Sequence, residues 1–364
     1  LRDVYKRQIN IPVYKLFEKM GAEVILPPEN NKNTLNLGIK HSVESVCLPY
    51  KLNLGNYIQA LEAGANTLLM FQAPGTCRLG QYVKNQEMKL RELGYDFDMV
   101  VFDMYKGKFY EVVKKFIHAC GVNPGFINGA KAVLYSLEIF DILDRFEEML
   151  FYYRPRENNK GESEKLYKQA LKLVQNACSK KELTDIRTYV TDEFKKISVN
   201  KSKEIVKISI TGEFFILLDP FSNMEIEKEL ASMGVEVERQ VMLSHWTNGI
   251  LMPTWLYNQE SHKTRAIRTA QKYMTRIVGG DCIESIGDTV YASDNNIDGV
   301  VHLCPFGCIP EVVSQCVLPH VSKQENIPVI SLNIDEHTGK AGFITRLEAF
   351  VDLLKRRKKT TISA

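Results

Sequence analysis

Along the first hundred residues the apolar positions alternate between two spacings. Val13, Leu16, Phe17 and Met20 recur at three and four, which predicts a helix from Ile11 to Met20 with Gly21 as its stop. Glu23-Val24-Ile25-Leu26 then reads as a strand ended by Pro27-Pro28. A helix from Asn53 to Ala63 leads into a strand, Thr67 to Phe71; a helix from Gln81 to Leu93, closed by Gly94, leads into a strand around Met99 to Phe102. Strands alternating with helices of about ten residues predict a parallel, doubly wound sheet.

The pattern changes in the middle of the chain. Phe109 to Ala119, Ala130 to Tyr153 and Glu164 to Lys196 are helical, separated by Asn123-Pro124-Gly125 and by a polar break from Pro155 to Gly161. Strand spacing returns at Val206-Lys207-Ile208-Ser209-Ile210-Thr211, followed by Gly212 and Glu213 at its exit. Helix Met224 to Met233, strand Val235 to Val241, strand Gly299 to Leu303, helix Pro310 to Gln324, strand Pro328 to Leu332 and helix Phe343 to Arg357 complete the series. The expected fold class is α/β: two doubly wound parallel-sheet domains, 9–125 and 205–364, with a helical region, 126–204, between them. Residues 1–8 do not join any pattern; they resemble translated adapter sequence or a disordered leader and are set aside.

At 364 residues the chain exceeds the size at which a single core stops growing, which agrees with two or three domains. A net charge of +3 with 25% charged residues gives no argument for nucleic acid or an anionic membrane. The basic tail Lys355-Arg356-Arg357-Lys358-Lys359 suits a helix end. No apolar run approaches the roughly 20 residues of a membrane span, and no signal-peptide order is visible, so the expected location is the cytoplasm. Eight cysteines there point to metal or redox chemistry rather than disulfides.

Three of these cysteines lie beside proline or glycine in turns: Cys47 in Glu44-Ser45-Val46-Cys47-Leu48-Pro49-Tyr50, Cys77 in Pro74-Gly75-Thr76-Cys77-Arg78, and Cys308 in Cys304-Pro305-Phe306-Gly307-Cys308-Ile309-Pro310-Glu311. The last turn leaves an apolar strand at its carboxyl end, where open α/β sheets place their sites. A shared metal and ordinary packing account for these thiols about equally well. Structural zinc favours close cysteine pairs and four protein ligands, whereas iron–sulfur clusters accept thiolates from dispersed loops. Cys304 with Cys308 is the only close pair.

Taken in order, these motifs, with Gly212-Glu213, Asn333-Ile334-Asp335-Glu336-His337-Thr338-Gly339 and Thr345-Arg346-Leu347-Glu348-Ala349-Phe350, resemble the 2-hydroxyacyl-CoA dehydratase and benzoyl-CoA reductase family, and within it the activase-related branch. The resemblance runs from Ile9 through nearly the whole chain. It implies an oxygen-sensitive protein in which Cys47, Cys77 and Cys308 hold a 4Fe–4S cluster with one iron open. Cys304, Cys120 and Cys316 would be further thiolates if the cluster were a double cubane, although packing suits the last two better. A separate ATP-hydrolysing activase would supply one low-potential electron. Dehydratase relatives pass it to a 2-hydroxyacyl-CoA thioester, whose ketyl radical expels the hydroxyl; the double-cubane branch reduces small molecules. A homologous subunit or a second copy of this chain would be a further partner.

One segment departs from the family pattern. Val278-Gly279-Gly280-Asp281-Cys282-Ile283-Glu284-Ser285-Ile286-Gly287 resembles its glycine-rich loop but has Asp281 and Cys282 where histidine and glycine are expected, so a histidine proton donor does not carry over there. Glu311 and Glu213 are the candidate acid/base or positioning carboxylates, with a helix first turn the plain alternative for Glu311. Arg78 suits either a thiolate or phosphate partner or a surface ion pair. Asp335-Glu336-His337 reads as a solvated turn, Arg346 with Glu348 as a helix face, and Cys178 as a packed helix residue. No Walker-type stretch is present, which assigns any ATPase to the partner. Two other readings stay open: an accessory iron–sulfur relay with an enclosed cluster, and a structural zinc protein.

Overall fold

A computed structural model describes residues 9–72, 75–103, 109–200, 202, 204–244, 247 and 260–362. The leader 1–8 and Pro74 of the second cysteine turn therefore lie outside the described residues. Mixed α/β architecture is what the periodicities lead one to expect. Among the described residues there are 14 helices and two all-parallel sheets, of two and four strands.

The amino-terminal part runs α1 (Asn10–Met20), α2 (Lys32–His41), α3 (Leu48–Glu62), β1 (Thr67–Gln72), α4 (Leu79–Glu92), β2 (Asp98–Asp103) and α5 (Phe109–Ala119). β1 and β2 pair in parallel from Thr67 with Asp98 to Gln72 with Asp103. Leu54, Ile58, Leu61, Leu68, Met70, Val83 and Leu90 bury one face of this layer, packing α3 and α4 against β1. Glu23–Leu26, expected as a strand, carries no ladder partner. Helix α2 was not anticipated, because Asn30-Asn31-Lys32-Asn33-Thr34 reads as a loop. Asn31 caps it, accepting from the backbone N–H groups of Asn33 and Thr34 at 2.8 and 3.1 Å.

The helical region comprises α6 (Phe126–Tyr153), α7 (Glu162–Asn176) and α8 (Lys180–Lys196). The expected single helix from Glu164 to Lys196 is two, because Ser179 starts a new helix by capping the N–H of Glu182. Cys178 lies in that break and is exposed, not packed on a helix. Phe146, Leu150, Leu171, Val174, Leu183 and Phe194 form the core of this layer. Arg239, buried at the carboxyl end of the strand Val235–Arg239, pairs with Glu147 of α6 and, at 2.8 Å, with Glu227, so the layer is fastened to the second sheet by charge as well as by packing.

The carboxy-terminal part contains β3 (Val206–Gly212), α9 (Phe214–Leu218), α10 (Ile226–Ser232), β4 (Val235–Arg239), α11 (His262–Ala270), α12 (Cys282–Asp294), β5 (Gly299–Pro305), α13 (Ile309–Gln324), β6 (Val329–Ile334) and α14 (Lys340–Ile362). Its strands lie in the order β4-β3-β5-β6. The chain steps from β3 to one side and later to the other, so the order reverses between β3 and β5. Loops leaving these two strands part there and open a crevice at their carboxyl ends. Gly212 closes β3 at φ 138°, and a Cβ on it would lie 2.0 Å from the carbonyl oxygen of Leu303 on β5, so only glycine lets the strands close up at this point. The segment that resembles a glycine-rich loop ends sooner than expected, since α12 begins at Cys282.

Candidate functional site

Cys47, Cys77 and Cys308 share a local setting. Cys47 is the N-cap of α3 and Cys308 the N-cap of α13, each followed two residues later by a proline, Pro49 and Pro310, in the first turn. Proline fits there because its missing N–H belongs to the set that a helix start leaves unpaired. Cys77 immediately precedes Arg78, the N-cap of α4. Neither N-cap thiol is used to cap its own helix, so both sulfur atoms are left for other partners. Helix N-termini carry partial positive charge and favour anionic groups, thiolates among them.

One side chain connects the three turns. Arg78 Nη1 donates to the Ser45 carbonyl at 2.8 Å, and Nη2 to the Gly307 carbonyl at 2.5 Å. The guanidinium next to Cys77 thus holds the turn before Cys47 and the turn before Cys308. Both terminal nitrogens of Arg78 go to carbonyl groups rather than to a surface ion pair, and its charge still acts on the Cys47 thiol, as one of its expected roles requires. The same turn is fixed a second time by an antiparallel bridge between Gly75 and Gly279 and by the Thr76 hydroxyl, which donates to the Val278 carbonyl at 2.6 Å. Next along, a Cβ on Gly280 would lie 3.6 Å from Cβ of Cys77 and 2.6 Å from the Pro310 ring. Loops from both sheets therefore meet where the thiols are.

All three cysteines line one cleft of about 1320 Å³, together with Glu213 and Asp281. Its surroundings are rich in acids. Burial pushes the Cys77 thiol up to about 11 and raises Cys308 as well, with the Glu213 carboxylate adding to both. Cys47 is also raised by burial, opposed by the hydroxyl of Tyr82, which contacts its sulfur, and by Arg78. Glu213, the N-cap of α9, is pushed up to about 7 by burial despite accepting from the Ile216 N–H at 2.9 Å. Asp281 stands well above the usual carboxylate range, through burial and then the neighbouring Glu284, Glu213 and Glu311; its carboxylate accepts from the Phe214 N–H at 3.0 Å.

Other expected residues are placed elsewhere. Cys304 faces the packed interior of β5, its thiol 3.4 Å from the Pro305 carbonyl, and does not line the cleft. Cys120 borders the cleft, with its thiol against Met20, and Cys316 is exposed on α13. Glu311 is fully buried behind the site: His302 Nε2 and Ser285 Oγ donate to its Oε2 at 2.6 and 2.9 Å. It ties β5, α12 and the first turn of α13 together. Glu336 is not solvated, since it pairs with the buried Lys51 of α3, whereas His337 is exposed. Arg346 and Glu348 lie on an exposed helix face.

Compared with models of known protein families and with curated proteins, the chain matches none. Among the described residues no three His, Cys, Asp or Glu side chains form a donor set for a single metal ion. A polynuclear cluster makes a different demand, because its thiolates are shared out over several irons. The donor chemistry fits such a group: three thiols, two of them buried and Cys77 half-buried, and two half-buried carboxyls raise one another at one wall, and Arg78 is the cation that acts on Cys47 there. An electropositive centre would relieve that repulsion and deprotonate the thiols.

Tyr82, Asp281 and the α11–α12 pair escaped the sequence reading. Tyr82 sits on a helix face where an aromatic is ordinary core. Asp281 was noted only as a departure, although its place before Cys282 at a helix start is a signal for an N-cap carboxylate.

Proposed function

We propose that this chain is the iron–sulfur component of an ATP-driven, low-potential electron-transfer system, acting on a CoA thioester in the manner of a 2-hydroxyacyl-CoA dehydratase or, with a larger cluster, as a double-cubane-type reductase. Cys47, Cys77 and Cys308 are the residues that would hold the cluster, which when bound supplies one electron at low potential. Glu213, pushed up to about 7 by burial, and Asp281, raised by burial and its acidic neighbours, are the groups that can gain or release a proton beside it. Tyr82 orients the Cys47 sulfur. Glu311 acts through Cys308 by fixing the helix that carries it.

The observation that carries this reading is the meeting of three helix-start thiols on one cleft, clamped by Arg78. Cleft size favours a substrate-binding component over an electron relay, which needs an enclosed cluster and no such space. Structural zinc would require four protein ligands around one ion. The electron donor would be a separate ATP-hydrolysing partner.

The test is anaerobic reconstitution with iron and sulfide, followed by metal and sulfide analysis and visible absorption, in the wild type and in Cys47→Ala, Cys77→Ala and Cys308→Ala. Each single change is expected to abolish most bound iron and the sulfide-to-iron absorption, while Cys304→Ala and Cys316→Ala retain both. Unchanged iron in the first three variants would overturn the proposal. Bound zinc without sulfide would replace it with the structural-zinc reading.

A further inference from the structure

His262 opens α11 and lines the same cleft as the thiols. Its Nε2 donates to Asp288 Oδ1 of α12 at 2.7 Å, and the other Asp288 oxygen accepts from the Thr211 hydroxyl of β3 at 3.4 Å. Asp288 is fully buried, whereas the His262 side chain keeps 13% of its surface exposed. Among the described residues the imidazole is held at Nε2 alone, and Nδ1 has no hydrogen bond.

The backbone is built for this pair. A Cβ on Gly287 would lie 2.2 Å from the Ala266 carbonyl oxygen, so α11 and α12 touch main chain to main chain one residue before Asp288. The Thr269 hydroxyl donates to the Gly287 carbonyl at 3.1 Å and fixes the register of the two helices. Along α12, Asp281, Glu284 and Asp288 recur at three and four and so share one face. Seven residues of helix span about 10 Å. The face that starts beside Cys77 thus ends at the dyad, with Glu284 between them on the cleft wall.

We propose that His262, oriented by Asp288, is the proton-transfer group of this cleft and presents Nδ1 to the oxygen of a bound carbonyl compound. The substrate class, an acyl thioester, rests on the function proposed above. When a low-potential one-electron donor reduces the carbonyl, its oxygen gains the negative charge. The Nδ1–H bond of the imidazolium breaks, an O–H bond forms, and the neutral imidazole regains its proton from water. The charged groups facing His262 are Asp288 and Glu284 from α12 and Lys263 and Arg265 from α11. Burial opposes the charged ring and Arg265 adds to that, but the Asp288 carboxylate and its hydrogen bond prevail and the net shift is upward.

The test uses the full chain without metal. Diethyl pyrocarbonate modifies neutral, accessible imidazole, and peptide mass spectrometry follows His262 from pH 5 to 9. Modification is expected, with a midpoint that falls by about one pH unit in Asp288→Asn. Should that variant misfold by circular dichroism, titration of the 13C-histidine resonance missing from His262→Gln gives the His262 midpoint in wild type, expected above 6.5. Butyryl-CoA, whose binding is measured separately by calorimetry, is expected to slow modification at least fivefold. A His262 that never reacts, a midpoint indifferent to Asp288, or bound butyryl-CoA that gives no protection would each overturn the proposal. If butyryl-CoA does not bind, the thioester reading falls, and the dyad is decided by its pH midpoint alone.

Discussion

Arg78 reaches across 229 residues of sequence to the carbonyl of Gly307, and with its other terminal nitrogen across 33 to that of Ser45. One guanidinium therefore sets how far apart the turns bearing Cys47, Cys77 and Cys308 stand. Hydrogen bonds from a charged donor contribute about 1.5–3 kcal/mol each, more than neutral ones.

Arg78→Met removes both bonds and keeps most of the stem. Urea denaturation is expected to show a loss of roughly 2–4 kcal/mol, and reconstituted iron should fall below half of the wild-type amount. Arg78→Lys should recover only part of the iron, because an ammonium lacks the planar fork that serves two carbonyls at once.

Gly280→Ala tests the closeness of the two loops. Gly280 sits at φ 59°, where a side chain is strained, and the added Cβ would meet the Pro310 ring at 2.6 Å. A destabilisation of about 1–3 kcal/mol is expected. The displaced group is the first turn behind Cys308, so iron retention should suffer more than thermal stability suggests.

Glu213→Gln tests the half-buried cleft carboxyl in the metal-free protein. Its pKa rises on folding from an ordinary 4.5 to about 7. Between those values the folded state binds more protons than the unfolded one, so stability falls as pH rises from 4.5 through about 7. The total is at most about 3 kcal/mol, less to the extent that water enters the cleft. Below pH 4.5 and above about pH 7 this group gives no slope. Glu213→Gln should flatten that part of the curve measured by urea midpoints at successive pH values.

Glu311 separates packing from chemistry. Glu311→Ala leaves the buried His302 and Ser285 without their shared acceptor and is expected to cost about 3–5 kcal/mol. Glu311→Gln keeps an acceptor oxygen and should restore at least half of that loss. Both are measured by chemical denaturation, with iron retention following stability rather than leading it.

Much of this was legible in the sequence, for identifiable reasons. Val206–Thr211 announces itself by its alternation of apolar and polar positions, Gly299–Leu303 because a buried parallel strand is apolar on both faces, and Phe109–Ala119 because its polar and apolar positions keep helical spacing. Cys47 and Cys308 stood out because each precedes a proline at the spacing a helix start tolerates. Asn31–His41 did not, since its polar residues disguise a capped helix. Glu23–Leu26 misled because extended, β-branched chain is not a strand until a neighbour supplies hydrogen bonds. The clamp and the His262–Asp288 pair join distant segments, and such meetings leave no trace in local pattern.

The cleft wall is drawn from segments centred on residues 47, 77, 213, 281 and 308. Closing loops of such length is slow and comes late, after the separate layers have collapsed. A growing chain therefore carries Cys47 and Cys77 without their partner turn for most of its synthesis, because Cys308 comes at position 308 of 364. The chief hazard of such an order is oxidation of those two thiols before Cys308 and the carboxy-terminal sheet are in place.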